Sequence, residues 1–208
     1  MEIINQKLLI TNLKQGVKNP NRVNVFVDDK FSFSLDLAQI VDFRLKVGME
    51  ITKEQLKEYK KASEFGKLYQ RALEWTLTRP RSEKELNDYL FKKVFEKKLD
   101  KDYIGSIVER LKNKKYLDDK KFAEWYVENR FVKKGISKKR LEMELKKKGV
   151  ATEIIAQVLD RRNDAEEILK IIAKKRAKYD DEKLTQYLCR QGFDYQLAQS
   201  LVRDYEMD

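Results

Sequence analysis

The chain has no histidine, one cysteine, two prolines and seven glycines among its 208 residues. Without histidine there is no Ser-His or Cys-His couple and no imidazole metal ligand, which excludes nucleophilic triads and most zinc sites. The lone Cys189 has no internal disulfide partner, as expected of a reducing compartment. No stretch of about 18 apolar residues is present, and the first residues lack the basic and then apolar pattern of a secretory signal. The expectation is a soluble, cytoplasmic chain with no membrane association. A Gly-x-x-x-x-Gly-Lys run is also missing, so a P-loop is not expected, and nothing points to a cofactor or a metal.

Charge is what the sequence has in abundance. Charged residues make up 39% of the chain against 41% hydrophobic ones, and 46 Lys and Arg face 35 Asp and Glu for a net charge of +11. A core that thin relative to its surface argues against one large globule. The positive excess favours acidic partners: nucleic acid, an acidic protein surface or anionic lipid. It is unevenly spread, at +2 for residues 1–60, +5 for 61–118, +6 for 119–163 and −2 for 164–208.

The first fifty or so residues differ in pattern from the rest. Val23, Val25 and Val27 alternate with Asn24 and Phe26, and Phe31, Phe33 and Leu35 alternate with Ser32 and Ser34 beyond Asp28-Asp29-Lys30. A period of two on both sides of a polar turn predicts a β-hairpin. Leu8–Leu13 reads as a third strand, Lys18-Asn19-Pro20-Asn21 as the turn that follows it, and Leu37–Phe43 as a short helix. From Thr52 onward the apolar spacing becomes helical. Thr52-Lys53-Glu54-Gln55 reads as a capping box opening a long helix, which Arg79-Pro80 stops.

An internal repeat follows. A Leu-x-x-x-Leu pair recurs at Leu86 and Leu90, Leu141 and Leu145, Leu184 and Leu188, and in the last two a Gly-plus-apolar step follows at Gly149-Val150 and Gly192-Phe193. Further apolar residues recur at Ile154 and Val158, and at Leu197 and Leu201. The first copy continues with Leu99, Tyr103 and Ile107 after an enlarged turn at Phe95-Glu96-Lys97-Lys98. Each unit reads as a lead helix, a middle helix capped by Ser82, Ser137 or Asp180, a turn, and a third helix. The predicted fold is mainly α: a tandem array of three three-helix repeats, elongated and curved, preceded by a small N-terminal antiparallel β-sheet. Its parts are residues 1–51 for the hairpin region, then 52–118, 119–163 and 164–208 for the repeats.

Lys133, Lys134, Lys139, Arg140, Lys146 and Lys147 fall in the densest basic stretch. On a helical wheel Leu141 and Leu145 mark its buried side, while Lys139, Arg140, Lys146 and Lys147 gather around Met143 on the other. A solvated helix face accounts for this stripe as well as a contact with phosphate or an acidic protein does. Arg79, Arg81, Lys92 and Lys93 form a second cluster near a helix start, where a phosphate can sit, although two arginines in an exposed connection explain it more simply. The pairs Asp28-Asp29, Asp118-Asp119 and Asp180-Asp181 are better explained as turn and cap residues than as metal ligands. Aromatic residues such as Phe65, Tyr69, Phe122, Tyr126 and Phe131 lie on apolar helix sides, as core residues do, which leaves little for base stacking.

The segment Tyr116-Leu117-Asp118-Asp119-Lys120-Lys121-Phe122-Ala123 resembles the hallmark of the RecX family of recombinase regulators. Gly135, Ser137, Leu141, Glu144-Leu145 and Lys148-Gly149-Val150, and upstream Arg79-Pro80-Arg81-Ser82-Glu83-Lys84-Glu85-Leu86, are similar to that family as well. The likeness covers about residues 68–208, and the N-terminal sheet looks like the extension of longer members. The enlarged turn after Leu90 departs from the family pattern. The resemblance implies a monomeric, non-enzymatic protein that binds RecA and its nucleoprotein filament on single-stranded DNA. It would restrain filament growth, ATP hydrolysis, strand exchange and LexA-cleavage stimulation in DNA repair, homologous recombination and the SOS response. The rival reading is a sequence-tolerant DNA-binding protein that acts without a recombinase, on single- or double-stranded DNA, since three-helix units can resemble helix-turn-helix domains.

Overall fold

The computed structural model describes residues 7–17 and 19–205, without the side chains of residues 131–134. The alternating segments form β1 (Leu8–Gln15), β2 (Arg22–Val27) and β3 (Lys30–Asp36), joined by α1 (Leu37–Asp42) to the short β4 (Glu50–Ile51). All pairings are antiparallel, in the order β3-β2-β1-β4. Asp28 and Asp29 make the hairpin turn with φ of 47° and 62°, the left-handed backbone that short Asp side chains tolerate. Lys18 in the turn after β1 lies outside the described residues.

From Thr52 onward the chain is helical: α2 (Lys53–Leu77), α3 (Glu83–Lys97), α4 (Asp102–Asn113), α5 (Asp119–Lys134), α6 (Lys138–Lys147), α7 (Thr152–Leu159), α8 (Asp164–Lys175), α9 (Asp181–Arg190) and α10 (Tyr195–Arg203). Thr52 and Gln55 close the expected capping box, Gln55 N donating to Thr52 Oγ1 at 3.2 Å and Thr52 N to Gln55 Oε1 at 2.9 Å. The fold is therefore mainly α with an N-terminal antiparallel sheet, and the helices succeed one another in threes.

Two compact units divide the chain, the first running to Trp75 and including Leu90–Ile107, the second comprising Thr76–Tyr89 and everything from Val108. In the first, the inward faces of the sheet supply Ile10, Val25, Val27, Phe33 and Leu35, which pack with Leu45, Ile51 and Tyr59. Gly66, inside α2, is where the sheet side meets that helix. A Cβ there would lie 3.1 Å from Gln39 Oε1, and Gln39 Nε2 donates to the Ala62 carbonyl at 3.0 Å.

The second unit shows the repeat in its core. Leu141, Leu145, Val150, Ile155 and Leu159 recur at one constant spacing as Leu184, Leu188, Phe193, Ala198 and Val202, all buried. The third helices thus bury Ile155, Leu159, Ala198 and Val202, one position beyond the expected Ile154, Val158, Leu197 and Leu201, which are only partly buried. The buried face of each third helix thus lies about 100°, one residue step, from the recurring pair that the sequence shows.

The enlarged turn expected after Leu90 is not a turn. The extra residues lengthen α3, which then ends as the others do: Leu99 N donates to the Val94 carbonyl at 3.0 Å, as Val150 N does to Leu145 at 3.2 Å and Phe193 N to Leu188 at 3.3 Å. Lys98, at φ 52°, takes the left-handed position that Gly149 and Gly192 fill at 79° and 91°. A lysine in a position that usually selects glycine leaves no mark in the sequence spacing.

Candidate functional site

The second unit is built from contacts that recur between successive repeats and that consume several of the charges singled out in the sequence. Ser82 Oγ accepts from Glu85 N at 3.1 Å and Ser137 Oγ from Arg140 N at 3.2 Å, capping α3 and α6; Asp180 caps α9 through Lys183 N at 2.9 Å. One residue on, the first N–H of α3, on Glu83, donates to Asp119 Oδ1 at 2.8 Å, and that of α6, on Lys138, donates to Asp164 Oδ1 at 2.8 Å. The acid that opens the next lead helix therefore satisfies a free amide at the start of the previous middle helix. Asp118 caps its own helix instead, accepting from Lys120 N and Lys121 N. Among the described residues, no three His, Cys, Asp or Glu side chains form a group able to hold a metal, and no helix is long and apolar enough to cross a membrane.

Arg79 is held in place. Its guanidinium donates to both oxygens of Glu85 at 3.0 and 3.2 Å and lies 4.9 Å from the Trp125 ring centre. Lys148 Nζ reaches Glu85 Oε1 at 2.7 Å from the end of α6. Burial alone would raise the Glu85 carboxyl, but the hydrogen bonds and charges of Arg79 and Lys148 outweigh it and hold it below the usual range.

Arg140 is likewise tied to internal partners. It is half-buried, with Nη1 donating to the Arg190 carbonyl at 2.6 Å and Nε 3.5 Å from Glu144 Oε1. Glu144 is fixed by Arg130, through Nε at 2.8 Å and Nη2 at 2.6 Å, and by the Tyr126 hydroxyl at 2.8 Å. Burial opposes its ionisation, and these donors overcome that and lower its pKa. The expected face of α6 therefore splits. Lys146 pairs with Glu142 at 2.6 Å, whereas Lys139 and Lys147 are exposed on either side of Met143, itself 52% exposed, with no ion pair among the described residues. Lys133 and Lys134 close α5, but their side chains lie outside the described residues, as does that of Phe131. Of the remaining aromatics, Phe122 is fully buried and Phe65, Tyr69 and Tyr126 partly so.

The second predicted cluster also divides. Lys92 and Lys93 belong to the first compact unit, where both face Glu96, at 3.9 and 3.0 Å. Arg79 and Arg81 belong to the second, and there they border an open cavity of about 260 Å³ with Leu77, Lys115, Tyr116 and Lys121. Arg81 Nη2 donates to Thr78 Oγ1 at 3.1 Å; burial, and then the Arg79 charge, push its pKa below the ordinary arginine value. Lys115 enters this site because α4 ends in a left-handed step at φ 63°, followed by a bond from Tyr116 N to the Leu111 carbonyl at 3.0 Å. Lys115, Tyr116 and Lys121 were not among the predicted site residues. The only sequence signal for them was that Tyr116 and Lys121 sit within the Tyr116–Ala123 segment.

The arrangement offers two mainly basic surfaces that carry apolar side chains, Lys139-Met143-Lys147 and the Arg81-Lys115-Lys121 cavity, which Leu77, Tyr116 and the carboxylate Asp118 also line. Both can engage an acidic partner or phosphates through charge while burying apolar area.

Known proteins with similar sequences agree with the fold. Two family models match, the regulatory protein RecX N-terminal domain over residues 8–52 and the RecX second three-helix domain over residues 118–159. A curated relative from Oceanobacillus iheyensis, "Regulatory protein RecX", is 35% identical over 133 residues, covering 62% of this chain and 47% of the relative. Another of that name from Clostridium perfringens is 34% identical over 208 residues, covering 93% of this chain and 94% of the relative. Against the Oceanobacillus and several Bacillus relatives, the chain spans only about half their length. A crystal structure of regulatory protein RecX superposes with a TM-score of 0.72 at 22% identity, over 95% of this chain and 100% of that one, which shows the shared fold.

Proposed function

The chain belongs to the RecX family of regulatory proteins, and from that premise we propose that it binds the RecA recombinase and its nucleoprotein filament and restrains filament growth, ATP hydrolysis, strand exchange and coprotease action. It does so as a cytoplasmic, non-enzymatic monomer, with residues 52–118, 119–163 and 164–208 acting as three successive docking modules. The observation that carries this reading is the α6 surface, where Lys139 and Lys147 flank exposed Met143 with no acidic partner of their own among the described residues. An apolar side chain between two such cations matches what an acidic partner surface with an apolar centre would bind. Repeated modules would engage several filament subunits at once and add their affinities through linkage.

Direct DNA binding without a recombinase is the second reading, favoured by the Arg81-Lys115-Lys121 cavity. Binding of the full chain to bare single-stranded DNA and to RecA-coated single-stranded DNA at equal salt separates the two. Tighter binding to the coated strand, with slowed ATP hydrolysis, is the expected result. Equal affinity for both, with ATP hydrolysis unaffected, overturns the regulatory reading in favour of the DNA-binding one.

A further inference from the structure

A third concentration of positive charge lies in the first compact unit, on residues outside the predicted site set. Lys67 and Arg71 are one helical turn apart on α2 and so share a face. Together with Lys97, the last residue of α3, they line a cavity of about 260 Å³ that is completed by Glu64, Leu68 and Leu99. All three cations are exposed, and none forms an ion pair among the described residues.

Arg22 adds a fourth charge beside them. Its Nε donates to Ser34 Oγ at 3.2 Å and its Nη2 to the Ser34 carbonyl, which fixes the guanidinium next to Gly66, where a Cβ would stand 3.5 Å from its Nη1. Lys67 is held below the ordinary lysine value, first by burial and then by the Arg22 charge, with Lys97 and Arg71 adding to it against Glu64. Lys97 is lowered in the same sense, by burial and then by Arg71 and Lys93. Three cations thus line a hollow that contains one carboxylate, and the Arg22 charge acts on Lys67 from beside it.

A fold gains nothing from such an arrangement unless an anion relieves it. At about 30 Å³ per water, a hollow of this volume has room for a phosphate group with part of its hydration. Arg71 offers a planar fork and the two lysines offer point charges, which is the donor set that phosphate oxygens accept.

We propose that the cavity between Lys67, Arg71 and Lys97 binds a phosphate group, carried either by a nucleic-acid backbone or by a free phosphate or polyphosphate.

The test uses the full chain, the Arg71→Gln/Lys97→Gln double variant and the milder Lys97→Gln single variant, which alters one exposed residue at a helix end. Thermal unfolding is followed in chloride and in inorganic phosphate or tripolyphosphate at matched ionic strength. Binding of a fluorescein-labelled oligo-dT strand is followed by anisotropy across a salt series. In chloride at low salt the variants are expected to unfold at the same temperature as the parent or higher, because repulsion has been removed. The rise in midpoint caused by phosphate is expected to fall to a third or less in the double variant and to be visibly reduced in the single one. If the natural source is a nucleic-acid backbone, oligo-dT affinity falls about tenfold in the double variant and the log-log salt slope drops by about one to two. If the source is a free phosphate, oligo-dT binding is unchanged while the phosphate response is lost. A phosphate response equal to the parent's in both variants overturns the proposal, and so does a lower midpoint in chloride with that response retained.

Discussion

Glu85 and Lys148 are separated by 63 positions in the chain and meet at 2.7 Å, the carboxylate on the middle helix of one repeat and the ammonium at the end of the middle helix of the next. Their side chains are 14% and 38% exposed, so solvent screens the pair only in part. Arg79 shares the same carboxylate. Glu85 is therefore a point on which two cations from different segments depend.

Replacing Glu85 by Ala is expected to destabilise the second unit by about 2 kcal/mol, because it strands both cations. Lys148→Met is expected to cost about 0.5–1 kcal/mol, within the range of a partly exposed pair. Urea unfolding of the two single variants and of the double gives the coupling energy directly. A coupling near zero shows that the contact carries no stability.

Stability is expected to fall as pH drops below the ordinary glutamate value of 4.5. Glu85 and Glu144 are both held below it when folded, so each contributes stability that is present above the unfolded value and is lost as pH falls through the lower, folded one. Asp119 works in the opposite sense. Burial, the largest cause, raises its carboxyl, so its ionised form opposes folding at neutral pH. Unfolding midpoints between pH 3 and pH 7 should slope less steeply at the acid end in Glu85→Gln than in the parent. An unchanged slope removes Glu85 from the account.

At Gly149 and Gly192 a Cβ would come within 2.7 Å of Lys84 Cβ and of Ser137 Oγ, and φ is positive at both. Alanine at either site is expected to cost about 2 kcal/mol, since backbone strain and contact strain add. Lys98 has the same backbone sense without being glycine, so Lys98→Gly is expected to be neutral or stabilising by about 0.5 kcal/mol. Thermal midpoints of the three variants check the contrast, which fails if Lys98→Gly is as damaging as the alanines.

If the chain restrains RecA as proposed, charge reversal of Lys139 and Lys147 is expected to weaken inhibition of the RecA ATPase about tenfold or more, with no loss of thermal stability. Arg140→Ala is expected to do the reverse, lowering stability by about 1 kcal/mol through the lost bond to the Arg190 carbonyl, with inhibition little changed once the protein is folded. Equal inhibition by the Lys139→Glu/Lys147→Glu variant and the parent would remove the α6 surface from the docking site.

How much of this was legible in the chain follows from the reach of each interaction. Period-two alternation in Val23–Val27 and Phe31–Leu35, helical spacing from Thr52, and the caps at Ser82, Ser137 and Asp180 are set by neighbours within a few positions, and the sequence alone determined them. So did the recurring Leu pairs and the family likeness of Tyr116–Ala123. Tertiary structure decided everything that depends on distant partners. It gave Arg79 and Arg140 internal partners in Glu85, Trp125, Glu144 and the Arg190 carbonyl. It turned the third helices by one residue because the core selects Ile155 and Leu159 over Ile154 and Val158. It also gathered Lys67, Arg71 and Lys97 from two helices around one hollow, with the Arg22 charge acting on Lys67, a cluster that charge counting along the chain does not register because Coulomb energy depends on separation in space and not on position in sequence.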